Sequence, residues 1–294
     1  MVPLATFVAL LTLGAPAAAQ SQTQVPRVAP PAQEPIDPDR PDVTNGTHIV
    51  DVGLLQVEFG GQVSRGDDSH DVGTPITLRL GLTDWLEARL GGDGFLWSSN
   101  GGQTESGLGN IQVAAKLRLW ADPGGVPVLS ILPSINLPVA SASKGLGSGQ
   151  SDFTITALTG TDFAHRGHVD VNYGIGRIGA GAGLPRFTQH LLSLSASVEI
   201  PGPVTPYAEF FWYSRQDANG GRINAIDSGA IYVITPRLAL DGGMQVGLSA
   251  DAPAWSAFAG ISLVVGNVLG NHGVHARQRQ GARRAAARAG THHR

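Results

Sequence analysis

Charged side chains stand at alternate positions of several runs that are otherwise apolar. Arg79 precedes the sequence Thr83-Asp84-Trp85, and Glu87 and Arg89 follow it. If this sequence is the turn of a hairpin, Arg79 lies directly across from Arg89, with Glu87 diagonal to both, so that a carboxylate separates the two cations. Such groups can pair into a network that holds a wall together, or they can line a wet pathway that sorts solutes by charge and size. The sequence leaves both roles open.

The candidate site residues are the charged side chains on the polar side of these runs. They are predicted to line a lumen and are Glu58, Arg79, Glu87, Arg89, Lys116, Arg118, Asp170, Glu199, Glu209 and Asp241.

Catalytic and metal-binding patterns are weak by comparison. His190 and Ser193 are three residues apart, and on a strand such residues point to opposite faces, which argues against a base and nucleophile pair. The chain has no Gly-x-Ser-x-Gly sequence. His165 and His168 flank a predicted turn, and the acidic stretch 67–71 lies in a predicted loop; both are more typical of hydrated surface than of metal sites. We therefore expect no enzyme activity, no cofactor and no metal.

The elements that must position the charged residues are strands with one apolar and one polar face. In the clearest run, apolar residues occupy every second position from Ile111 to Leu119, whereas Lys116 and Arg118 lie between them. Successive side chains of a strand point to opposite faces, so this pattern predicts strands whose apolar side meets lipid. Two of the predicted strands, near 152–161 and 224–234, are apolar on both parities. The pattern predicts twelve strands, near residues 49–63, 75–83, 86–96, 108–120, 127–139, 152–161, 168–177, 190–200, 205–214, 224–234, 238–248 and 254–265.

The connections between these strands alternate in length. Tight links, such as 83–85 and 235–237, alternate with longer polar ones, such as 64–74, 97–107 and 140–151. Bacterial outer-membrane barrels have short periplasmic turns and long external loops. An even strand number then leaves both termini in the periplasm. The five tryptophans lie near strand ends, as expected for aromatic girdles at the two membrane interfaces.

The ends of the chain differ in composition from its middle. Residues 1–19 are apolar and end in Ala17-Ala18-Ala19, which predicts a cleaved secretory signal. Residues 20–46 are predicted to form a flexible periplasmic leader that contains the motif Asp-Pro-Asp-Arg-Pro-Asp, and residues 47–266 the barrel. Residues 267–294 form a basic tail, which is predicted to be disordered. Whether the leader folds into the lumen as a plug is left open.

Overall charge and cysteine content exclude several classes of protein. The chain has no cysteine, so neither disulfides nor thiolate sites contribute. The six arginines after residue 270 conceal a net charge of −9 in the rest of the chain, which gives no support to nucleic-acid binding.

Several stretches resemble a known family of outer-membrane proteins, grouped under the phenol meta-degradation pathway. The resemblance rests on IDPDRPDVTNG at 36–46, GLLQVEFGG at 53–61, LRLGLTDWLEARLGGD at 78–93 and GLGNIQVAAKLRL at 107–119. It extends over about residues 36–265. It implies an outer-membrane barrel described as a transporter, and it supplies no catalytic residue.

Together these features predict a single 12-stranded antiparallel transmembrane β-barrel. Closure is required because an open sheet edge in lipid leaves backbone groups unpaired. The expected function is passive passage of small solutes, with aromatic or hydrophobic compounds suggested by the family. The alternatives are a non-conducting structural barrel and, less favoured, a barrel enzyme acting on lipid. Expected partners are outer-membrane lipid and lipopolysaccharide, the barrel-assembly machinery and a small-molecule solute; the oligomeric state is not predicted.

Overall fold

The computed structural model describes residues 36–41, 43–121, 127–164, 166–181 and 183–270. The predicted signal, the leader up to residue 35, His165 and the tail from residue 271 lie outside this part of the chain. The described elements are a short 3-10 helix, Ala142–Lys144, and fifteen strands: β1 Leu54–Arg65, β2 Ser69–Gly73, β3 Ile76–Gly81, β4 Leu86–Gly92, β5 Phe95–Asn100, β6 Gln103–Leu108, β7 Ile111–Trp120, β8 Val128–Leu137, β9 Asp152–Phe163, β10 Gly167–Ile178, β11 Phe187–Val198, β12 Val204–Tyr213, β13 Ile223–Thr235, β14 Leu238–Gly247 and β15 Trp255–Asn267.

Neighbouring strands pair antiparallel all the way around the sheet, and the last strand returns to the first. β1 pairs with β15 over almost its whole length, from Leu54 opposite Asn267 to Arg65 opposite Trp255. At three places in the wall, two consecutive strands lie end to end and together cross the barrel once. These are β2 and β3, β4 and β5, and β6 and β7. Each complete crossing is called a stave below, so the fifteen strands form twelve staves. This confirms the predicted fold.

The first two long loops of the sequence prediction are wrong, because both are largely strands. Residues 64–74 and 97–107 extend the hairpins as β2, β5 and β6, which close through short turns. One of these turns has Gly101 and Gly102 at φ of 55° and 82°, as the tight turns of hairpins require. Residues 64–74 and 97–107 are rich in Ser, Asp and Gly, so a composition typical of loops conceals their pairing.

The alternation of faces matches the predicted one. On β11, Leu192 and Leu194 point away from the lumen and are exposed, whereas Ser193 and Ser195 are buried. The two strands without a clear parity also alternate: Phe153 and Ile155 of β9 are exposed, and so are Ile226 and Tyr232 of β13. The barrel thus has an apolar outer surface and a polar inner one.

Connection lengths differ between the two ends of the barrel. Short turns join β3 to β4, β9 to β10 and β13 to β14 at one end, called the turn end below. Longer connections, such as 138–151 and 214–222, lie at the other end, called the loop end. Among the described residues, no helix has the length and apolar character needed to cross a membrane.

The segment from Ile36 to Val50, called the plug below, runs inside the barrel over its described residues, 36–41 and 43–50. The sequence places residues 20–46 in a flexible periplasmic leader, and it predicts the first strand from residue 49. In the structure, the described part of that leader instead contacts the inner wall, and β1 begins at Leu54. The reason is electrostatic: the charged groups of the motif find partners of opposite charge in the lumen.

Candidate functional site

The paired register of β3 and β4 builds the centre of the charged cluster. Arg79 lies opposite Arg89, as predicted. Glu87 separates them, since its Oε1 accepts a hydrogen bond from Arg79 Nε at 2.9 Å and from Arg89 Nε at 2.7 Å. Glu58 of β1 accepts a further hydrogen bond from Arg79 at 2.8 Å. The predicted interleaving of carboxylates and cations is confirmed.

Asp39 of the plug joins this cluster from inside the lumen. Its Oδ2 lies 2.8 Å from Lys116 Nζ and 3.5 Å from Arg79 and also accepts a hydrogen bond from Arg89. Its Oδ1 accepts the backbone N–H of Gly46 at 3.2 Å. Burial raises the pKa of Asp39, but the positive charges of the three side chains outweigh burial and lower that pKa below the usual range. Asp39 is therefore ionised at neutral pH.

Lys116 of β7 is wholly buried, and its hydrogen-bond partners within the described residues all belong to the plug. Besides Asp39, its ammonium group donates to the carbonyl oxygens of Gly46 at 2.6 Å and His48 at 3.2 Å. Arg118, two residues further along β7, donates to the Thr47 carbonyl at 3.4 Å. An ammonium group has three donors and no acceptor, so three oxygens satisfy Lys116 completely.

The wall formed by β11 and β12 holds the plug through a carboxylate and a hydroxyl group, those of Glu209 and Ser193. Glu209 of β12 accepts the backbone N–H groups of Val43 at 2.8 Å and Thr44 at 2.6 Å, and also the Thr44 hydroxyl. That hydroxyl lies 2.8 Å from Ser193 Oγ of β11. Backbone N–H groups thus take the role here that cations take at Asp39.

Asn45, the next plug residue, forms a two-way contact with Asn172 of β10. The Asn45 N–H donates to Asn172 Oδ1 at 2.7 Å, and Asn172 Nδ2 donates to the Asn45 carbonyl at 3.0 Å. The Asn45 side chain reaches the other wall, where it accepts from Arg89 at 2.8 Å. One residue therefore links both walls.

Arg40 extends to a different part of the wall from its neighbour Asp39. Its guanidinium pairs with Asp241 of β14 at 3.2 Å and lies over Gly60 and Gly260, which face each other across β1 and β15. A Cβ atom at Gly60 would come within 2.2 Å of the guanidinium, and one at Gly260 within 2.5 Å. The two glycines therefore form the seat of the Arg40 side chain.

Apolar contacts support the plug at its first residue, Ile36, and at its middle, Val43. Ile36 packs with Ala239 and Val264, and Val43 packs against the cluster around Phe211 and Ile223. These contacts are small beside the polar network, so the position of the plug is set chiefly by charges and hydrogen bonds.

The plug closes the middle of the lumen. Each of the twelve staves contributes an inward side chain that is at most 8% exposed. Such residues are Glu58, Arg79, Glu87, Lys116, Ser130, Leu158, Asn172, Ser193, Glu209, Asp227, Asp241 and Ser256. Toward the turn end, a cavity of about 790 Å³ remains beside the plug, lined by Asp39, Thr47, Arg118, His168 and Tyr207 among others.

The remaining predicted residues line this cavity. Asp170 of β10 faces inward and lies 3.2 Å from His168 Nε2, whose Nδ1 contacts Asp162 at 2.6 Å. Glu199 follows the end of β11 and is exposed at the cavity rim, away from the charged cluster. The structure thus brings together all ten predicted residues around one lumen, but Glu199 only at its edge.

Sequence reasoning missed the plug residues themselves. Three plug residues bind charged groups of the wall, namely Asp39, Arg40 and Thr44. They lie in a segment without hydrophobic periodicity, so no strand pattern marks them. One signal was present: the inward residues of β3, β4 and β7 include four cations and only Glu87 as an acid. That imbalance calls for an anionic partner from elsewhere in the chain.

The weaker chemical patterns do not form sites. His190 lies on the outer face, where its Nδ1 contacts the Tyr173 hydroxyl at 2.9 Å, whereas Ser193 faces the lumen. Asp71 binds Ser98 at 2.5 Å. No group of three or more His, Asp or Glu side chains within the described ranges is placed to hold a metal ion.

Two solved structures with a similar fold are an outer membrane channel and a porin. The outer membrane channel from Pseudomonas putida F1 superposes with a TM-score of 0.58 at 15% identity, over 78% of this chain and 99% of that chain. The NanC porin superposes with a TM-score of 0.50 at 12% identity, over 72% of this chain and 100% of that chain. No curated protein sequence matches the chain significantly.

The fold therefore defines an outer-membrane β-barrel protein. A sequence profile described as "Putative MetA-pathway of phenol degradation" matches residues 38–264, and the chain belongs to that family. The matched range begins inside the plug, at Pro38, so it includes both the barrel and most of the segment that fills it.

Proposed function

We propose that the protein is a plugged channel that passes small solutes across the outer membrane when the plug shifts. The observation that carries this proposal is the way the lumen is closed. A separate segment, held chiefly by ion pairs and hydrogen bonds, fills it beside a cavity of about 790 Å³. Such contacts can be exchanged for water or solute without unfolding the wall.

The width of the barrel supports passage. Small eight-stranded barrels are filled by their own side chains, and porins of about sixteen to eighteen strands hold open aqueous channels. Twelve staves leave room for one extended segment, and hence for one small molecule in its place. The family description makes aromatic compounds the first candidates for that molecule.

The geometry gives the competing functions less support. A non-conducting structural barrel agrees with the buried ring of wall residues, but it gives no reason for a cavity that reaches the plug. For an enzyme acting on lipid, His190 and Ser193 lie on opposite faces of β11, so we propose a protein without catalytic activity. In the proposed arrangement the turn end faces the periplasm, the outer surface contacts lipid and lipopolysaccharide, and the barrel-assembly machinery inserts the chain.

Conductance in planar bilayers tests the proposal, with the Asp39→Asn variant as the opened form. We expect discrete conductance steps in the wild type and larger or more frequent ones in the variant, because the amide no longer neutralises the basic wall. Gly61→Ala is the matched control, since Gly61 faces outward with nothing within 4 Å of an added Cβ. Liposome swelling with solutes of graded size then gives the size limit. Electrically silent and solute-tight barrels in both wild type and Asp39→Asn would contradict the channel.

A further inference from the structure

Arg79, Arg89 and Lys116 surround the carboxylate of Asp39 and are called its seat below. We propose that this seat is a binding site for the carboxylate group of a small solute, and that such a solute loosens the plug by competing with Asp39. This inference rests on the proposed channel function, since it names a solute class for the same lumen. The observation behind it is that the plug inserts a carboxylate where three wall cations converge.

The seat has the donors that a free carboxylate requires. One Asp39 oxygen contacts Lys116, Arg79 and Arg89, and the other accepts a backbone N–H. Arginine forks and ammonium groups are the donors that proteins use for carboxylates. Glu87 of the wall binds both arginines through their Nε atoms, so the wall orients them in part without the plug.

The charge balance of the wall requires an anion at this position. Glu58 and Glu87 offset two of the three cations, Arg79 and Arg89. Within the part of the chain that the structure describes, the ion-pair partner of Lys116 is Asp39. When the plug withdraws, a buried cation therefore loses its counterion, and an anion that replaces Asp39 removes that penalty.

The seat can be reached from the turn end. Asp39 itself lines the cavity, together with Gly46, Thr47 and Arg118, which surround the approach to Lys116. Across the cavity the wall presents the carboxylates of Asp170 and Glu199, whereas Arg118 lies on the side of the seat. A carboxylate entering the cavity is thereby directed toward the seat.

Chemical rescue of the full-length barrel in detergent tests the inference. Asp39→Gly removes the plug carboxylate, and Arg40→Ala is the matched control, because it removes the neighbouring charge that binds the acidic wall. We expect sodium acetate to raise the thermal midpoint of Asp39→Gly in a saturable manner, as single-site binding requires. Acetamide, or sodium chloride at equal ionic strength, should not do so, and acetate should not raise the midpoint of Arg40→Ala.

A second measurement uses the plug in place. Thr44→Cys introduces the single thiol of a chain that has no cysteine, and its labelling rate by a maleimide reports exposure of the plug. Acetate should accelerate labelling over chloride at the same ionic strength. Equal effects of acetate and chloride in both assays would overturn the carboxylate site. The bilayer test of the channel is made in chloride and is therefore independent of acetate. If the barrel does not conduct but acetate still stabilises Asp39→Gly, the proposed function is wrong and the carboxylate site is supported.

Discussion

The two walls of the lumen hold the plug in different ways. The wall formed by β3, β4 and β7 carries Arg79, Arg89, Lys116 and Arg118, and three of these converge on one plug carboxylate. The wall formed by β10–β14 carries inward acids, and the one lysine or arginine within these strands, Arg177, is exposed and binds Thr188. The lumen is therefore basic on one side and acidic on the other.

This difference explains why two adjacent plug residues have opposite charges. Asp39 binds the basic wall, whereas Arg40 binds Asp241 on the acidic one. A buried charge without a partner is costly, so reversing or rotating the plug would leave both walls unsatisfied. The pair thus fixes the orientation of a segment that has no regular secondary structure of its own.

The largest effect is expected on the basic wall. Asp39→Asn leaves three buried cations with two carboxylates, and breaking a buried pair in this way typically costs about 3 to 5 kcal/mol. Urea unfolding of the refolded barrel, together with Thr44→Cys labelling, measures the loss. A cost no larger than that of the outward control Gly61→Ala would mean that the plug is not held by charge.

A smaller effect is expected on the acidic wall. Glu209→Gln keeps the shape of the side chain but weakens the bonds from Val43 and Thr44, and hydrogen bonds to charged groups contribute about 1.5 to 3 kcal/mol. The same unfolding assay should rank this variant below Asp39→Asn. The reverse ranking would show that backbone donors, not the basic wall, determine the position of the plug.

The seat of Arg40 gives the most local test. Gly60→Ala places a methyl group against the guanidinium, and such overpacking typically costs about 1 to 3 kcal/mol. Gly61→Ala, one residue away on the outer face, should change the unfolding free energy much less. In an Arg40→Ala background, Gly60→Ala should lower the free energy of unfolding much less, because the clash with the guanidinium then disappears. If the losses of the two single variants simply add in the double variant, the assigned contact is wrong.

How much the sequence predicts depends on the range of the interactions. Alternation within strands and one short turn were sufficient to place Arg79 opposite Arg89 with Glu87 between them. The plug could not be found in this way, because Asp39 lies 19 residues from Glu58 and Arg40 lies 201 residues from Asp241. No local pattern encodes such distant pairs. The proline-rich motif also has the composition of a flexible leader, so its partners became visible only in the folded barrel.

Locking the plug tests the central claim most directly. The hydroxyl oxygens of Thr44 and Ser193 are 2.8 Å apart, so Thr44→Cys with Ser193→Cys places two thiols together in a chain that otherwise has no cysteine. Bilayer conductance of the double variant should fall on oxidation and return on reduction, while both single variants stay unchanged. Equal conductance of the oxidised and reduced forms would contradict the account, because passage would then not require the plug to move.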